Sequence, residues 1–394
     1  MVENADVKKG YKNSEVGTIP NDWDTKPIAE ITSLMTNGFV GTVKSHYTDF
    51  DNGILYIQGY NVDENKFNFN GIKRVTHDFH KQHLKSCLQE GDLLTIQTGD
   101  IGITTVVPRE LEGANCHALI ITRFKKRTAE PKFYSYYFNF SVGRRRLKEI
   151  ETGSTMKHIN VGDMKQMLIP YPTLAEQTTI ATALNDADAL ITMLENLIAK
   201  KRAIKQGAMQ ELLRPKEGWK ITQIKTFASI STGAKNTQDR IPDGAFPFFV
   251  RSPTIEKIDS YSFDGEAILV AGDGVGTGKV MHYINGKFDF HQRVYKISDF
   301  KKLIYGYYFY LFFKENFYNR VMQMTAKSSV DSIRMEMISE MNIPHPSYEI
   351  QTQIGKVLSD MNIEISALEK KLEKYKMLKQ GMMQNLLTGK IRLV

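Results

Sequence analysis

The chain has only two cysteines, Cys87 and Cys116, in 394 residues. So few exclude a disulfide framework and a zinc site of paired cysteines, and they suit a reducing, cytoplasmic setting. No stretch approaches the roughly 18 apolar residues that a membrane helix needs. The opening Met1-Val2-Glu3-Asn4-Ala5-Asp6 is acidic where a signal peptide is basic and then apolar, so a soluble, non-exported protein is expected. Catalytic signatures are missing too. There is no Gly-x-Ser-x-Gly elbow and no His-Glu-x-x-His, and without any Pro-Pro pair there is no Asn/Asp-Pro-Pro-Tyr/Phe tetrapeptide of amino-methyltransferases. His80, His83, His117, His158, His282 and His291 show no spacing with Cys or carboxylates that would make a metal site. The chain is expected to be neither an enzyme nor a metalloprotein.

What remains is globular material, with 41% hydrophobic and 24% charged residues. A chain this long predicts two or three domains over a single core. The formal charge of +8 and an isoelectric point near 9.1 favour a polyanionic partner, because Lys and Arg gain affinity by releasing counterions from phosphates.

The strongest signal is an internal repeat. Met167–Leu213 aligns without a gap on Met341–Leu387 at a constant offset of 174, with about 20 of 47 positions identical. Ile169-Pro170-x-Pro172 matches Ile343-Pro344-x-Pro346, Gln177-Thr178 matches Gln351-Thr352, and Lys205-Gln206-Gly207 matches Lys379-Gln380-Gly381. Proline disfavours helix in the residue before it, so each copy predicts a helix that starts just past its Ile-Pro-x-Pro segment. Apolar residues then fall at Ile180, Leu184, Ala187, Ile191, Leu194 and Ile198, and at Ile354, Leu358, Met361, Ile365, Leu368 and Leu372. That alternation of four and three is a heptad seam, which calls for a partner helix. Two equivalent seams in one chain are most simply satisfied by an antiparallel pairing of the two helices, each about 50 to 60 Å long. Ordinary bundle packing is the alternative. The seam turns polar at Lys201 and Lys205, with Tyr375 and Lys379 aligned to them, so looser packing or a covering partner is expected there.

The segment before each helix is variable. Trp23 and Ile28 correspond to Trp219 and Ile224 at an offset of 196, ahead of Gly38 and Gly233. The first segment spans 147 positions from Trp23 to Pro170, and the second 125 from Trp219 to Pro344. In each, a strand-like run (Leu93–Ile96, Ala267–Val270) meets a Gly-Asp turn, then an aromatic-rich helical stretch (Phe133–Phe138, Tyr305–Tyr310), then a small polar loop. The expected fold is α+β: two globular domains with mostly antiparallel sheets, separated by two long antiparallel coiled-coil helices in a pseudo-twofold repeat. The boundaries are read as 1–172, 173–214, 215–346 and 347–394.

The run Gly272-Asp273-Gly274-Val275-Gly276-Thr277-Gly278-Lys279 invites a phosphate-binding reading. It fails in detail, because Asp273 stands where a P-loop needs its first Gly and Val280 where it needs Ser or Thr. Nor is it a dinucleotide fingerprint, since Thr277 replaces the third glycine. Basic runs at Lys125–Arg127, Arg144–Arg146 and Lys200–Arg202 read as solvated faces, and the aromatic clusters as core. Polar loop residues set among Gly, Ser and Asn are better placed to meet phosphates and base edges. In the first segment the DNA-contact candidates are Lys44, Tyr60, Asn61, Thr98, Lys157 and His158. In the second they are Lys235, Asn236, Arg251, Ser252, Lys279, Gln292, Arg293, Lys327 and Ser328.

On Gly17-Thr18-Ile19-Pro20 leading to Trp23, the Ile-Pro-x-Pro segments with Gln177 and Gln351, and the helix ends Lys205–Leu213 and Lys379–Lys390, the chain resembles the specificity subunit of a Type I restriction-modification system. The resemblance spans nearly the whole length and is strongest in the helices. It implies two target-recognition domains, each reading half of a bipartite, non-palindromic site in double-stranded DNA. The helices would be a ruler between them and a dock for two methyltransferase (modification) subunits, which restriction/translocase subunits join. It implies no cofactor in this chain: S-adenosylmethionine, ATP and Mg would belong to the partner subunits. The short segment before Trp23 implies that the C-terminal end helps to close the first domain. The competing reading is a coiled-coil scaffold whose globular domains bind other proteins.

Overall fold

Each Ile-Pro-x-Pro segment is an edge strand that hands over to a long helix. Proline withholds an N–H, which a two-stranded pairing tolerates. Leu168–Tyr171 pairs antiparallel with Asp24–Pro27, and Asn342–His345 with Lys220–Gln223. The helices Leu174–Leu212 and Tyr348–Leu386 follow, 39 residues each. The computed structural model describes residues 9–154, 157–324 and 332–393. Its packing divides the chain into a first unit, Met1–Glu195 with Lys370–Val394, and a second, Asn196–Glu369, so the division falls inside both helices.

Within each unit the helical segments run antiparallel. In the first, Ile180 and Leu184 share a core with Leu386 and Leu387, and further along Asp188 meets Lys379 at 2.5 Å and Glu195 meets Lys376 at 3.1 Å. In the second, Met209 and Leu213 share a core with Ile354 and Leu358, while Lys201 and Arg202 meet Glu364 and Glu369 at 2.7 and 2.6 Å. Seam residues Ile180, Leu184, Ile191, Leu194, Ile198, Ile354, Leu358 and Ile365 are buried. Where the seam turns polar, Lys201 and Lys379 are held by carboxylates of the facing helix segment.

The two units share one strand plan. In the second, a six-stranded sheet runs Ser229–Thr232, Val294–Ser298, Phe263–Ala271, Met281–Phe290, Phe246–Phe249, Glu256–Ile258. In the first, Thr32–Asn37, Leu119–Phe124, Leu93–Ile96 and Thr104–Val106 form four strands, and Asn115–Cys116, Ile54–Ile57 and Lys73–Val75 form three more. The ten-residue strand Met281–Phe290 thus fills the places of both Thr104–Val106 and Asn115–Cys116. Among the described residues these strands pair antiparallel except where Ile54–Ile57 meets Asn115–Cys116 and Phe246–Phe249 meets Met281–Phe290.

Leu93–Ile96 and Ala267–Ala271 are buried throughout because both sheet faces are covered. Leu93 and Ile120 face the aromatic helix Pro131–Asn139, while Leu94, Ile96 and Ile121 pack in a second core. Ile268 and Val270 face the helix Gly306–Met324, and Ala267 and Leu269 the opposite side. Phe133, Tyr134, Tyr136, Tyr137 and Phe138 are buried, as are Tyr308, Phe309, Phe312, Phe313 and Phe317. These rings are core and not stacking platforms.

Candidate nucleic-acid interface

The repeat is written in hydrogen bonds as well as in strands. Gln177 and Gln351 are fully buried at the helix starts. Gln177 accepts from the Glu130 N–H and donates to the Pro172 carbonyl, both at 2.9 Å. Gln351 accepts from the Tyr305 N–H at 2.9 Å and donates to the Pro346 carbonyl at 3.0 Å. A buried amide so committed is costly to remove, because it would strand its partners. Tyr134 and Tyr308 donate to the carbonyls of Pro170 and Pro344. Each globular part is thereby fastened to the helix that follows it.

On this frame, equivalent loops converge beside the sheet. Gly38 and Gly233 lie against the carbonyls of Cys116 and Phe290, where a Cβ would collide. The following segments cross the chain at the same point: Phe39 bridges His117, and Lys235 bridges His291. The His117 N–H donates to Ile57 at 2.8 Å and the His291 N–H to Phe249 at 2.9 Å. Beyond the central strand, Thr98 bridges His158 and Asp273 bridges Ser332. The Ile159 N–H bonds Gln97 at 3.0 Å and the Ile333 N–H bonds Gly272 at 2.7 Å.

Several of the second unit's candidates meet there. Gln292 donates to Asn236 at 2.5 Å, and its N–H bonds the Lys235 carbonyl at 2.8 Å. Arg251 Nη1 lies 3.0 Å from Asp273 Oδ1, and Arg293 Nε 3.8 Å from Asp273 Oδ2. His291 accepts from the Arg293 N–H at 2.9 Å, a bond that requires an unprotonated Nδ1. Burial pushes the His291 pKa down, and the charge of Arg251 adds to that. Two candidates sit differently: Ser252 closes a local turn onto Thr254 at 3.2 Å, and the Lys279 ammonium rests 4.6 Å above the Tyr318 ring. Lys327 and Ser328 lie outside the described residues.

Of the first unit's candidates, only those around Thr98 and His158 are brought together. Thr98 and His158 are joined by their bridge, and Lys157 pairs with Glu151 at 3.5 Å. Lys44 is exposed at the start of a short 3-10 turn, Lys44–His46. Tyr60 donates to the Gly71 carbonyl at 2.8 Å, and partial burial raises its phenol pKa. Asn61 departs from its expected role. It is fully buried, accepts from the Gln58 N–H at 3.1 Å, and donates to the carbonyls of Asn68 and Asn70 at 3.0 and 3.3 Å. Its amide braces the loop and is not presented to solvent.

The glycine-rich run joins two antiparallel strands, Phe263–Ala271 and Met281–Phe290. A phosphate-binding P-loop feeds a helix instead. Of the basic runs, Arg144 bonds Glu64 at 2.7 Å and Arg146 the Glu15 carbonyl at 2.5 Å, so both support the fold. Sequence reasoning passed over Asp273 as a partner of arginines, and His117 and His291 as equivalents. The signal for the histidines was present: they stand 174 apart, the offset of the helices.

A pair of like-folded heads, each with polar loops at the end of its central strand and each tied to a long helix, defines a two-part recognition protein. A family model for the Type I restriction modification DNA specificity domain matches residues 20–205 and 216–375, and the chain belongs to this family. The putative type I restriction enzyme MjaX specificity subunit of Methanocaldococcus jannaschii is 23% identical, over 98% of this chain and 97% of that relative. The type I restriction enzyme EcoDI specificity subunit of Escherichia coli is 27% identical over 43% of this chain and 37% of its own length. Among solved structures, the S subunit of a Type I restriction-modification system from M. genitalium matches with a TM-score of 0.63 and 15% identity, over 92% of this chain and 96% of that one. The resemblance and the α+β repeat read from the sequence are borne out. The role that goes with the family is recognition, with catalysis in other subunits. Among the described residues no helix is long and apolar enough to cross a membrane.

Proposed function

We propose that this chain reads double-stranded DNA at a bipartite, non-palindromic site, one half through each globular part, within a Type I restriction-modification complex. The observation that carries this is the double convergence of unlike loops on a like frame. Thr98, Lys157 and His158 stand at one end of the first central strand, and Lys235, Asn236, Arg251, Gln292 and Arg293 gather at the matching end of the second. Phosphate contacts by such cations position a protein on the duplex, and contacts to base edges specify the sequence. We divide the chain for this role into reading domains at 1–172 and 215–346 and helical regions at 173–214 and 347–394. On the helices, Met193, Ile204, Ile363 and Met377 leave apolar surface exposed. In this reading they help to dock two methyltransferase subunits, which bring S-adenosylmethionine, and restriction/translocase subunits with ATP and Mg join the assembly.

The test is an exchange of residues 219–344 for those of another family member, in complex with the modification subunits. Mapping of methylated adenines is expected to show a new second half-site and an unchanged first. Methylation at the original sites after both domains are exchanged would overturn the reading.

A further inference from the structure

The glycine-rich run of the second unit, which is not a P-loop, has a use in how it seats against two arginines. A Cβ on Gly272 would lie 2.9 Å from the Arg293 carbonyl, and one on Gly276 would lie 2.6 Å from the Arg251 carbonyl. The Gly272 N–H donates to that same Arg293 carbonyl at 2.8 Å. The turn at Gly274, with φ +79, is open to glycine at little cost. Glycine at these places lets the loop lie directly on the two arginine-bearing segments and puts Asp273 between their side chains.

Asp273 offers one carboxylate oxygen to each guanidinium: Oδ1 to Arg251 Nη1 at 3.0 Å and Oδ2 to Arg293 Nε at 3.8 Å. Both arginines remain substantially exposed, at 44% and 66%, whereas Asp273 is 26% exposed. Among the described residues no other side chain makes a hydrogen bond or ion pair with either guanidinium. Each therefore keeps an edge of paired N–H donors free of Asp273, while Arg251 is hydrogen-bonded to the carboxylate at 3.0 Å and Arg293 is drawn toward it by a longer ion pair of 3.8 Å. A planar fork of donors matches the O6 and N7 acceptors of guanine in the major groove, and holding the fork in advance reduces the ordering cost of binding.

We propose that Asp273 positions Arg251 and Arg293 as a paired fork that reads guanine in the second half-site. This rests on the DNA-reading function proposed above and narrows it. A lone pair of exposed arginines would be equally suited to phosphates. The shared carboxylate favours base reading, because it offsets charge that a phosphate contact would use and fixes direction instead. Asp273 is thus a positioning residue, and the arginines are the contacts.

The experiment uses the chain assembled with its modification subunits and a duplex library randomised across the second half-site, read by methylation and by binding at several salt concentrations. Arg251→Lys and Arg293→Lys keep the charge and lose the fork. Each is expected to lower discrimination for guanine at one position by roughly 5- to 150-fold, with the salt dependence nearly unchanged. Asp273→Asn is expected to lower discrimination at both positions together while raising affinity for unrelated duplex. If the lysine variants keep the parental base preferences, or if Arg251→Ala and Arg293→Ala weaken all sequences alike and flatten the salt slope, the arginines contact phosphate and the fork is wrong. Unchanged methylation after exchange of residues 219–344 strikes the DNA-reading proposal itself. A target that moves with the exchange but ignores these three variants strikes the fork alone.

Discussion

The second unit carries one continuous six-stranded sheet where the first carries the same strands as two separate sheets. The extra length responsible is localised. Gly38 and Gly233, at the same close approach, are 195 apart, whereas Gln97 and Gly272, at the same bridge, are 175 apart. The first unit therefore holds its added residues chiefly between Gly38 and Gln97. That stretch includes the 3-10 turn Lys44–His46, the pairing of Val62–Asp63 with Lys66–Phe67, and the helix His77–Gln82. The helix-facing side of each sheet, with its buried glutamine and tyrosine ties, keeps its plan. Length changes are absorbed where the loops project and not where the helix is gripped.

A second contrast lies where each globular part receives the end of a helix. In the second unit, Leu213 runs through five residues into Trp219. In the first, the counterpart of that join is non-covalent. Gly389, with φ +66, lies against Pro20 and Trp23, and Tyr11 donates to the carbonyls of Gly389 and Lys390 at 3.2 Å. Arg392 binds Asp22 through two bonds of 2.8 Å and reaches the buried Glu176 at 2.5 and 2.8 Å, and Glu176 also accepts from the Trp23 indole at 2.9 Å. Arg392 holds the Asp22 carboxyl pKa below its usual value. The expected closure of the first domain by the C-terminal end is what these contacts provide.

The largest effect should separate the units most sharply. Arg392→Ala leaves Glu176, 1% exposed at its side chain, without its cation. Removal of one partner from a buried pair costs roughly 3 to 5 kcal/mol. Hydrogen exchange is expected to show faster opening around Trp23 and Ile180 while the core around Ile268 and Phe309 stays protected; equal loss in both would mean the latch does not belong to the first unit.

A smaller effect tests whether the two close approaches are equivalent. Gly233→Ala forces a Cβ onto the Phe290 carbonyl, and Gly38→Ala places one 2.6 Å from the carbonyl and Sγ of Cys116. Overpacking of this kind costs about 1 to 3 kcal/mol. Denaturant unfolding should show both variants destabilised, with Gly233→Ala the worse; a neutral Gly233→Ala would break the correspondence.

The smallest contrast concerns the helices. Lys379 and Asp188 are 20% and 33% exposed, and Arg202 and Glu369 are 64% and 42% exposed. Exposed pairs contribute about 0 to 1 kcal/mol. Lys379→Ala should cost close to the top of that range and Arg202→Ala almost nothing. Double-mutant cycles at low and high salt would measure both, and the reverse order would show that burial does not govern these seams.

Much of this organisation was legible in the sequence. Heptad spacing and the prolines before each helix are local signals, each complete within a few turns of chain, the shared offset of 174 shows them twice, and the two 39-residue helices begin where they indicate. The long apolar runs at Leu93 and Ala267 read correctly as strands, because residues covered on both faces need not alternate. The loop candidates were less legible. Asn61 has the chemistry of a base-reading residue, but the fold closes a loop around it, and nothing within the Asn-rich segment distinguishes a bracing amide from a presented one. Asp273 was visible only as part of a glycine motif, since its partners lie 22 positions before it and 20 after it and reach it through strand pairing.

The sequence by itself determined the duplicated helices, where each begins and the seam along each, because proline and apolar periodicity act on the backbone within a few residues. Tertiary structure alone decided that Arg392 closes on Asp22 and Glu176 and that Gly272 and Gly276 seat on Arg293 and Arg251. Those outcomes depend on close approach between residues up to 370 positions apart, where burial and hydrogen-bond satisfaction select the partner and local propensity has no influence.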